Sequence, residues 1–127
     1  TGSTAEFIHV WLLLTVGAKP FTARNGELQF ALNPVLPSDW FTTESATINW
    51  QGEVIKITEN ASACSLFNST LLIYHNPTQG PTYGTCAVKP VRYCVDDIEV
   101  ESDRVVDTLA EQIRSGACKR LDVWLGA

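Results

Sequence analysis

Methionine is absent from the chain, histidine occurs twice, and the cations are outnumbered, with Lys and Arg totalling 9 against 14 for Asp and Glu. The net charge of -5 and a sequence pI near 4.8 disfavour nucleic acid or an anionic membrane surface as partner. They leave room for one bound phosphate, because a pocket's potential is set by its local donors. No C-x-x-C pair accompanies Cys64, Cys86, Cys94 and Cys118, so with two histidines the ligand set of a zinc site is lacking and no metal ligand is assigned. Free buried thiols of an intracellular, cytoplasmic protein are the default reading of these cysteines; disulfides of a secreted protein are the alternative. The sequons Asn60-Ala61-Ser62 and Asn68-Ser69-Thr70, where chance supplies roughly one, say little about secretion. The apolar run from Phe7 to Val16 is too short to span a bilayer. It carries His9, follows Glu6 and lacks a basic n-region, so it does not read as a signal peptide either. No internal repeat or low-complexity tract occurs. A chain without methionine is expected to be a processed or excised piece, here the C-terminal end of something larger.

What is present is ordinary globular material: 127 residues, 45% apolar and 18% charged, enough for one domain with a real core. Thr1-Gly2-Ser3-Thr4-Ala5-Glu6-Phe7-Ile8-His9 joins a small-residue turn to a helix start with a histidine soon after. Ser3-x-x-Glu6 fits a capping box. Thr1, Gly2, Ser3 and Thr4 offer hydroxyl and backbone N–H donors where the positive end of the helix dipole points, which suits an anion. A well-capped helix is the plainer reading. His9 is either a further anion contact or a core histidine satisfied by a neighbouring carbonyl. Residues 4 to 16 are apolar on nearly every face, as in a helix buried on all sides. A β-rich chain of this size cannot easily surround such a helix, so its usual neighbours are expected to lie outside the chain. Gly17 and Pro20 stop it, and the domain boundary is expected at Gly17 to Phe21.

After Pro20 the period becomes alternating. Asn25-Gly26 is a turn, and Leu28, Phe30 and Leu32 mark a half-buried strand ended by Pro34 and Pro37. Asp39, Trp40 and Phe41 form a turn with aromatic anchors. Ala46 to Trp50 and Val54 to Thr58 form a hairpin around Gln51-Gly52, with Ile48, Trp50, Ile55 and Ile57 on one face. Further strands are predicted at Thr70 to His75, Ala87 to Val95 (with Pro90 at an edge or bulge), Ile98 to Glu101 and Arg120 to Leu125. Asn76 to Gly84 is a loop and Val106 to Arg114 a short helix ended by Gly116. About seven strands with frequent turns predict a mainly β fold, an antiparallel β-sandwich behind one buried leading helix, plus a short late helix.

Several side chains carry two readings. His75 is a substrate-touching loop histidine or a strand-end side chain bonded to backbone. Trp40, Trp50, Trp124 and Tyr83 are a sugar-stacking platform or, given their β-pattern positions, core aromatics. Lys89, Arg92, Lys119 and Arg120 read as a solvated face.

TGSTAEFIHVW followed by PFTARNGELQFALNPVLPSDWF resembles the C-terminal part of inverting glycoside phosphorylases. Thr1-Gly2-Ser3 is similar to the phosphate loop of cellobiose and β-1,3-glucan phosphorylases. Ser3-Thr4-Ala5-Glu6-x-Ile8-His9 resembles the Thr-Thr-Ala-Glu-Gly-Ile-His segment of maltose and kojibiose phosphorylases. NGELQFALNPVLP is similar to the strand that opens the small β-sandwich in both groups. YHNPTQGPTYGTCAVKP and RLDVWL look most like the cellobiose and β-1,3-glucan side, so the resemblance covers almost the whole chain. Phe7 departs from it by standing where the maltose-type motif has Gly, and Cys64 to Ser69 matches nothing in the pattern.

The resemblance implies a parent of the six-hairpin glycosidase type that cleaves a β-glucosidic bond with inorganic phosphate and releases a sugar 1-phosphate with inversion. One carboxylic acid protonates the leaving oxygen while phosphate, a substrate and not a cofactor, attacks the opposite face. Residues 1–17 would be the last helix and phosphate-loop end of an (α/α)₆ catalytic barrel, and residues 18–127 a C-terminal β-sandwich bracing it. By position, Thr1, Gly2, Ser3, Thr4 and His9 would bind phosphate, Thr1 and Gly2 foremost. The general acid would lie in the barrel, so no catalytic residue is assigned in this chain, and Glu6 is read as a cap. The implied partners are the rest of the barrel, a β-glucan oligosaccharide and phosphate, and a second copy of the parent in a homodimer; nucleic acid and membrane are not among them. Two alternatives stand beside this reading: a free-standing carbohydrate-binding sandwich and a purely structural module.

Overall fold

The structure is a computed structural model and describes residues 15–17, 19–67 and 69–126, with Ser38 described by its backbone alone. The fold is mainly β. Its strands are β1 (Phe21–Arg24), β2 (Glu27–Phe30), β3 (Ala46–Trp50), β4 (Glu53–Ile57), β5 (Ala61–Leu66), β6 (Thr70–His75), β7 (Lys89–Val95), β8 (Ile98–Val100), β9 (Val105–Val106) and β10 (Arg120–Gly126). One helix, α1 (Asp107–Arg114), precedes β10, and a 3-10 turn covers Ser38–Trp40.

Three hairpins close through two-residue turns with both residues in the left-handed region: Asn25-Gly26, Gln51-Gly52 and Asp96-Asp97. Such turns match the right-handed twist of the strands they join. Helix α1 ends where the sequence places its stop. Gly116 is left-handed, its N–H bonds Ile113 O, and Ala117 N–H reaches back to Gln112 O, a Schellman closure.

The strands form a five-stranded sheet ordered β5-β6-β10-β7-β8, a three-stranded sheet β1-β2-β9, and the β3-β4 hairpin. Alternation along each strand decides which faces meet. From the large sheet Leu72, Tyr74, Tyr93, Val95, Leu121, Val123 and Leu125 point to one side, where Phe30, Val105, Ala110 and Ile113 of the small sheet and α1 complete the main core. On the other side Leu71 and Ile73, with Ala61, pack under Ile48, Trp50, Ile55 and Ile57 of the hairpin. The hairpin packs on β5 and β6, and the second face of β10 and β7 carries Asp122, Trp124 and Arg92.

Most pairings are antiparallel, as the alternating pattern leads one to expect. The exception is β10, which runs parallel to β6 with Trp124 opposite His75 and antiparallel to β7 with Trp124 opposite Arg92. The chain between β6 and β10, which includes β7, β8, β9 and α1, provides the long connection that a parallel neighbour requires. A bulge falls between Trp124 and Leu125, leaving Val91 unopposed beside Pro90. Pro90 thus sits at a register break and beyond the reach of β8, where its missing N–H costs nothing.

Three strands were not read from the sequence. β1 is short and mostly exposed, β9 spans Val105–Val106, and β5 is built from Ala, Ser and Cys, which carry little β signal. The end of the leading segment is held by the β layers. Thr15 and Val16 are buried, the Tyr74 hydroxyl donates to Thr15 O, and Asn33 N–H donates to Val16 O at 3.1 Å.

Candidate functional site

The proposed phosphate contacts Thr1, Gly2, Ser3, Thr4 and His9, like the cap Glu6, lie outside the described residues. What the described residues build is a cleft of about 390 Å³. Three connections converge on it: the turn at Phe41, Thr42 and Thr43, the β4–β5 corner at Asn60, and the β6–β7 loop at Asn76, Gln79, Gly80, Pro81 and Tyr83. Leu36 adds an apolar wall.

Backbone bonds fix these pieces to one another. Thr42 N–H donates to Ala61 O at 2.8 Å, and Asn60 N–H donates to Thr42 O at 2.8 Å. Asn76 N–H donates to Asn60 O at 2.8 Å, and Gln79 N–H donates to Asn76 O at 3.0 Å. The far wall is tied by Thr82, which is buried. Its Oγ1 accepts from Leu36 N–H at 2.6 Å and donates to Leu36 O at 3.1 Å. Leu36 lies in the Pro34–Pro37 stretch outside any strand, so this hydroxyl replaces a ladder partner.

The loop is seated on Val88. A Cβ at Gly80 would stand 2.6 Å from Val88 Cγ1, so only glycine lets the chain pass. Asn76 is 4% exposed; its Nδ2 donates to Gly80 O at 2.8 Å while Oδ1 stays buried with no partner among the described residues. Asn60 and Gln79 hold positive φ values of 59 and 58. Asn tolerates that region and Gln does so at a cost.

The cleft is uncharged. Its lining offers amides, hydroxyls and the rings of Phe41 and Tyr83, the latter 59% exposed. Among the described residues its lining has no Lys, Arg or His to anchor a phosphate and no carboxylate to act as an acid.

A second cluster occupies the polar face of β10. His75 Nε2 donates to Asp122 Oδ2 at 2.7 Å, and Arg120 Nε donates to Asp122 Oδ1 at 2.8 Å. Burial alone would push the Asp122 carboxyl up; the His75 and Arg120 hydrogen bonds together outweigh it and hold the group below the usual carboxylate range. The His75 ring stacks on Trp124 with centroids 4.8 Å apart, and the Arg92 guanidinium lies 3.8 Å from the Trp124 centroid. His75 and Arg92 belong to the strands on either side of β10, so they cover opposite faces of the indole. His75 closes β6 as a strand-end residue, but its partner is the Asp122 carboxylate and not backbone. Among the described residues His75 makes its side-chain hydrogen bond to Asp122 and none to a hydroxyl or thiol.

The aromatic and basic residues divide. Trp50, on the inner face of the β3–β4 hairpin, is partly buried against the cluster of Leu71 and Ile73, whereas Trp40 and Tyr83 are exposed, against the core reading. Trp124 is half-buried with both faces taken. Arg92 and Arg120 are engaged by Trp124 and Asp122, and Lys89 donates to Asn33 Oδ1, so these cations are more than a solvated face.

All four cysteines are free thiols. Burial pushes Cys64 and Cys118 up to about 12 and raises Cys94. Cys64, Cys94 and Cys118 are thus poor nucleophiles at neutral pH. Among the described residues no cluster of His, Cys, Asp and Glu is suited to a metal, and no helix is long and apolar enough to cross a membrane.

The cleft was legible in pieces. Asn76 to Cys86 contains no charged residue and is dense in Gly and Pro, which marks a loop. Phe41, Thr42, Thr43 and Asn60 reach it through pairings far apart in sequence and gave no local sign. The chain matches no family model, no curated protein and no solved structure.

Proposed function

We propose that this chain is the C-terminal portion of an inverting glycoside phosphorylase. The parent cleaves a β-glucosidic bond with inorganic phosphate and releases a sugar 1-phosphate with inverted configuration. Residues 1–17 supply the end of a helical barrel and part of the phosphate site, through Thr1, Gly2, Ser3, Thr4 and His9. Residues 18–127 form a β-sandwich that braces the barrel. The partners are the rest of that barrel, a β-glucan and phosphate, and the location is cytoplasmic.

The observation that carries this reading is the run of the Thr1-to-His9 motif into NGELQFALNPVLP. The hold of the β layers on Thr15 and Val16, through Tyr74 and Asn33, supports the bracing role. The general acid belongs to the barrel, so the chain alone does not cleave.

The test is phosphorolysis of cello- and laminari-oligosaccharides by the full-length protein, read as release of sugar 1-phosphate. Thr1→Val and Gly2→Ala are expected to weaken the apparent affinity for phosphate. Activity with unchanged phosphate affinity in both variants overturns the site, and no phosphorolysis of either series overturns the reading. A carbohydrate-binding module is the second reading, favoured by the uncharged cleft beside Tyr83.

A further inference from the structure

Four groups at the cleft are uncommitted. Among the described residues the side-chain amides of Asn60 and Gln79 and the hydroxyls of Thr43 and Tyr83 make no hydrogen bond. Each amide and each hydroxyl can donate and accept. That dual capacity matches a ligand whose own groups are hydroxyls. The rings of Phe41 and Tyr83 stand at the same cleft, and aromatic faces suit the C–H face of a pyranose.

The backbone bonds through Thr42, Asn60 and Asn76 keep the site in shape before any ligand arrives, so little ordering is required on binding. A volume near 390 Å³ falls within the roughly 300–1,000 Å³ of small-ligand sites. Of the other aromatic candidates, Trp124 is excluded because His75 and Arg92 occupy its faces, and Trp40 and Trp50 do not line this cleft.

We propose that this cleft is a saccharide-holding subsite that binds a neutral glycosyl ring of a glucan, a role different from the anion binding proposed for Thr1 to His9. Tyr83 packs on the ring and Gln79 and Asn60 bond its hydroxyls. The choice of glucan as the polymer rests on the phosphorylase reading; the class of ligand, an uncharged polyhydroxylated ring, rests on the lining alone.

The experiment is titration calorimetry of the protein with cellopentaose and laminaripentaose, with inorganic phosphate as competitor. Saturable binding of at least one pentaose is expected, undisturbed by phosphate. Tyr83→Ala is expected to weaken it about tenfold or more. Gln79→Gly removes an amide while keeping the left-handed backbone, so its loss of binding is expected without loss of thermal stability. No binding of either pentaose, binding unchanged in both variants, or displacement by phosphate overturns the proposal. Binding at the cleft in a protein without phosphorolysis leaves the cleft standing and removes the phosphorylase reading; phosphorolysis without such binding does the reverse.

Discussion

Thr82→Val tests whether one hydroxyl ties the two walls of the cleft together. The substitution is nearly isosteric and removes both bonds to Leu36, at 2.6 and 3.1 Å. Leu36 is 2% exposed and Thr82 1%, so water cannot replace the lost partner. The N–H and C=O of Leu36 would both be left buried and unpaired. At about 1–3 kcal/mol for each such group, with partial relaxation, the expected loss is about 2–4 kcal/mol. For a domain of this size about 3–5 °C is lost per kcal/mol, so the midpoint should fall by about 6 °C at the least. Thr82→Ser keeps the hydroxyl and deletes a methyl, at a cost of about 0.5–1.5 kcal/mol. Urea unfolding followed by fluorescence compares the three proteins. A Thr82→Val midpoint equal to that of Thr82→Ser would refute the reasoning, because it would mean that packing and not the hydroxyl holds Leu36.

Asp96 accepts from Lys119 N–H, Arg120 N–H and Gln112 Nε2, pinning the start of β10 to the β7–β8 turn. Asp96→Ala is expected to cost about 2–3 kcal/mol, and Asp96→Asn about half of that, since Asn keeps one acceptor and tolerates the positive φ; equal losses in urea unfolding would rule out the acceptor role. Gly80→Ala forces a Cβ into Val88 and should destabilise by about 1–3 kcal/mol, which thermal unfolding measures. Asp122 sits below its usual carboxylate value when folded, so its contribution is complete above the unfolded value of about 3.9 and disappears as pH falls through the folded one. Stability measured from neutral pH into acid should therefore decline less steeply in Asp122→Asn than in the parent protein, and superimposable profiles would contradict the pairing. Cys86 is exposed while Cys64 and Cys118 are pushed up to about 12, so a thiol reagent at neutral pH should show a fast phase that Cys86→Ser abolishes.

Local signals in the sequence located most of the elements. The hairpin Ala46–Trp50 with Glu53–Ile57, the strand Thr70–His75 and the helix ending before Gly116 followed from alternation, from Gln51-Gly52 and from a glycine stop. β1 was recoverable in principle, because a two-residue Asn25-Gly26 turn ahead of β2 requires a strand before it. β5 was not, because Ala61, Ser62, Ala63, Cys64 and Ser65 are small or polar and become a strand through pairing with β6 and cover from the hairpin. The parallel pairing of β10 with β6 has no sequence signature either. It places His75 beside Trp124, two residues far apart in the chain whose registry depends on the length of the intervening crossover.

The same physics explains why the cleft escaped a linear reading. A saccharide site needs no charged pair, no metal-ligand spacing and no nucleophile, so it leaves no motif. It needs uncharged donors and aromatic faces held at fixed separation. Here that separation is set by backbone bonds between Thr42 and Asn60 and between Asn60 and Asn76, and by Thr82 on Leu36. The cleft's character is thus written in composition, in a loop from Asn76 to Cys86 without a single charge, and its shape in long-range pairing. The proposed division of labour puts polymer binding at the cleft and phosphate binding on the leading segment, whose end the β layers hold through Tyr74 and Asn33.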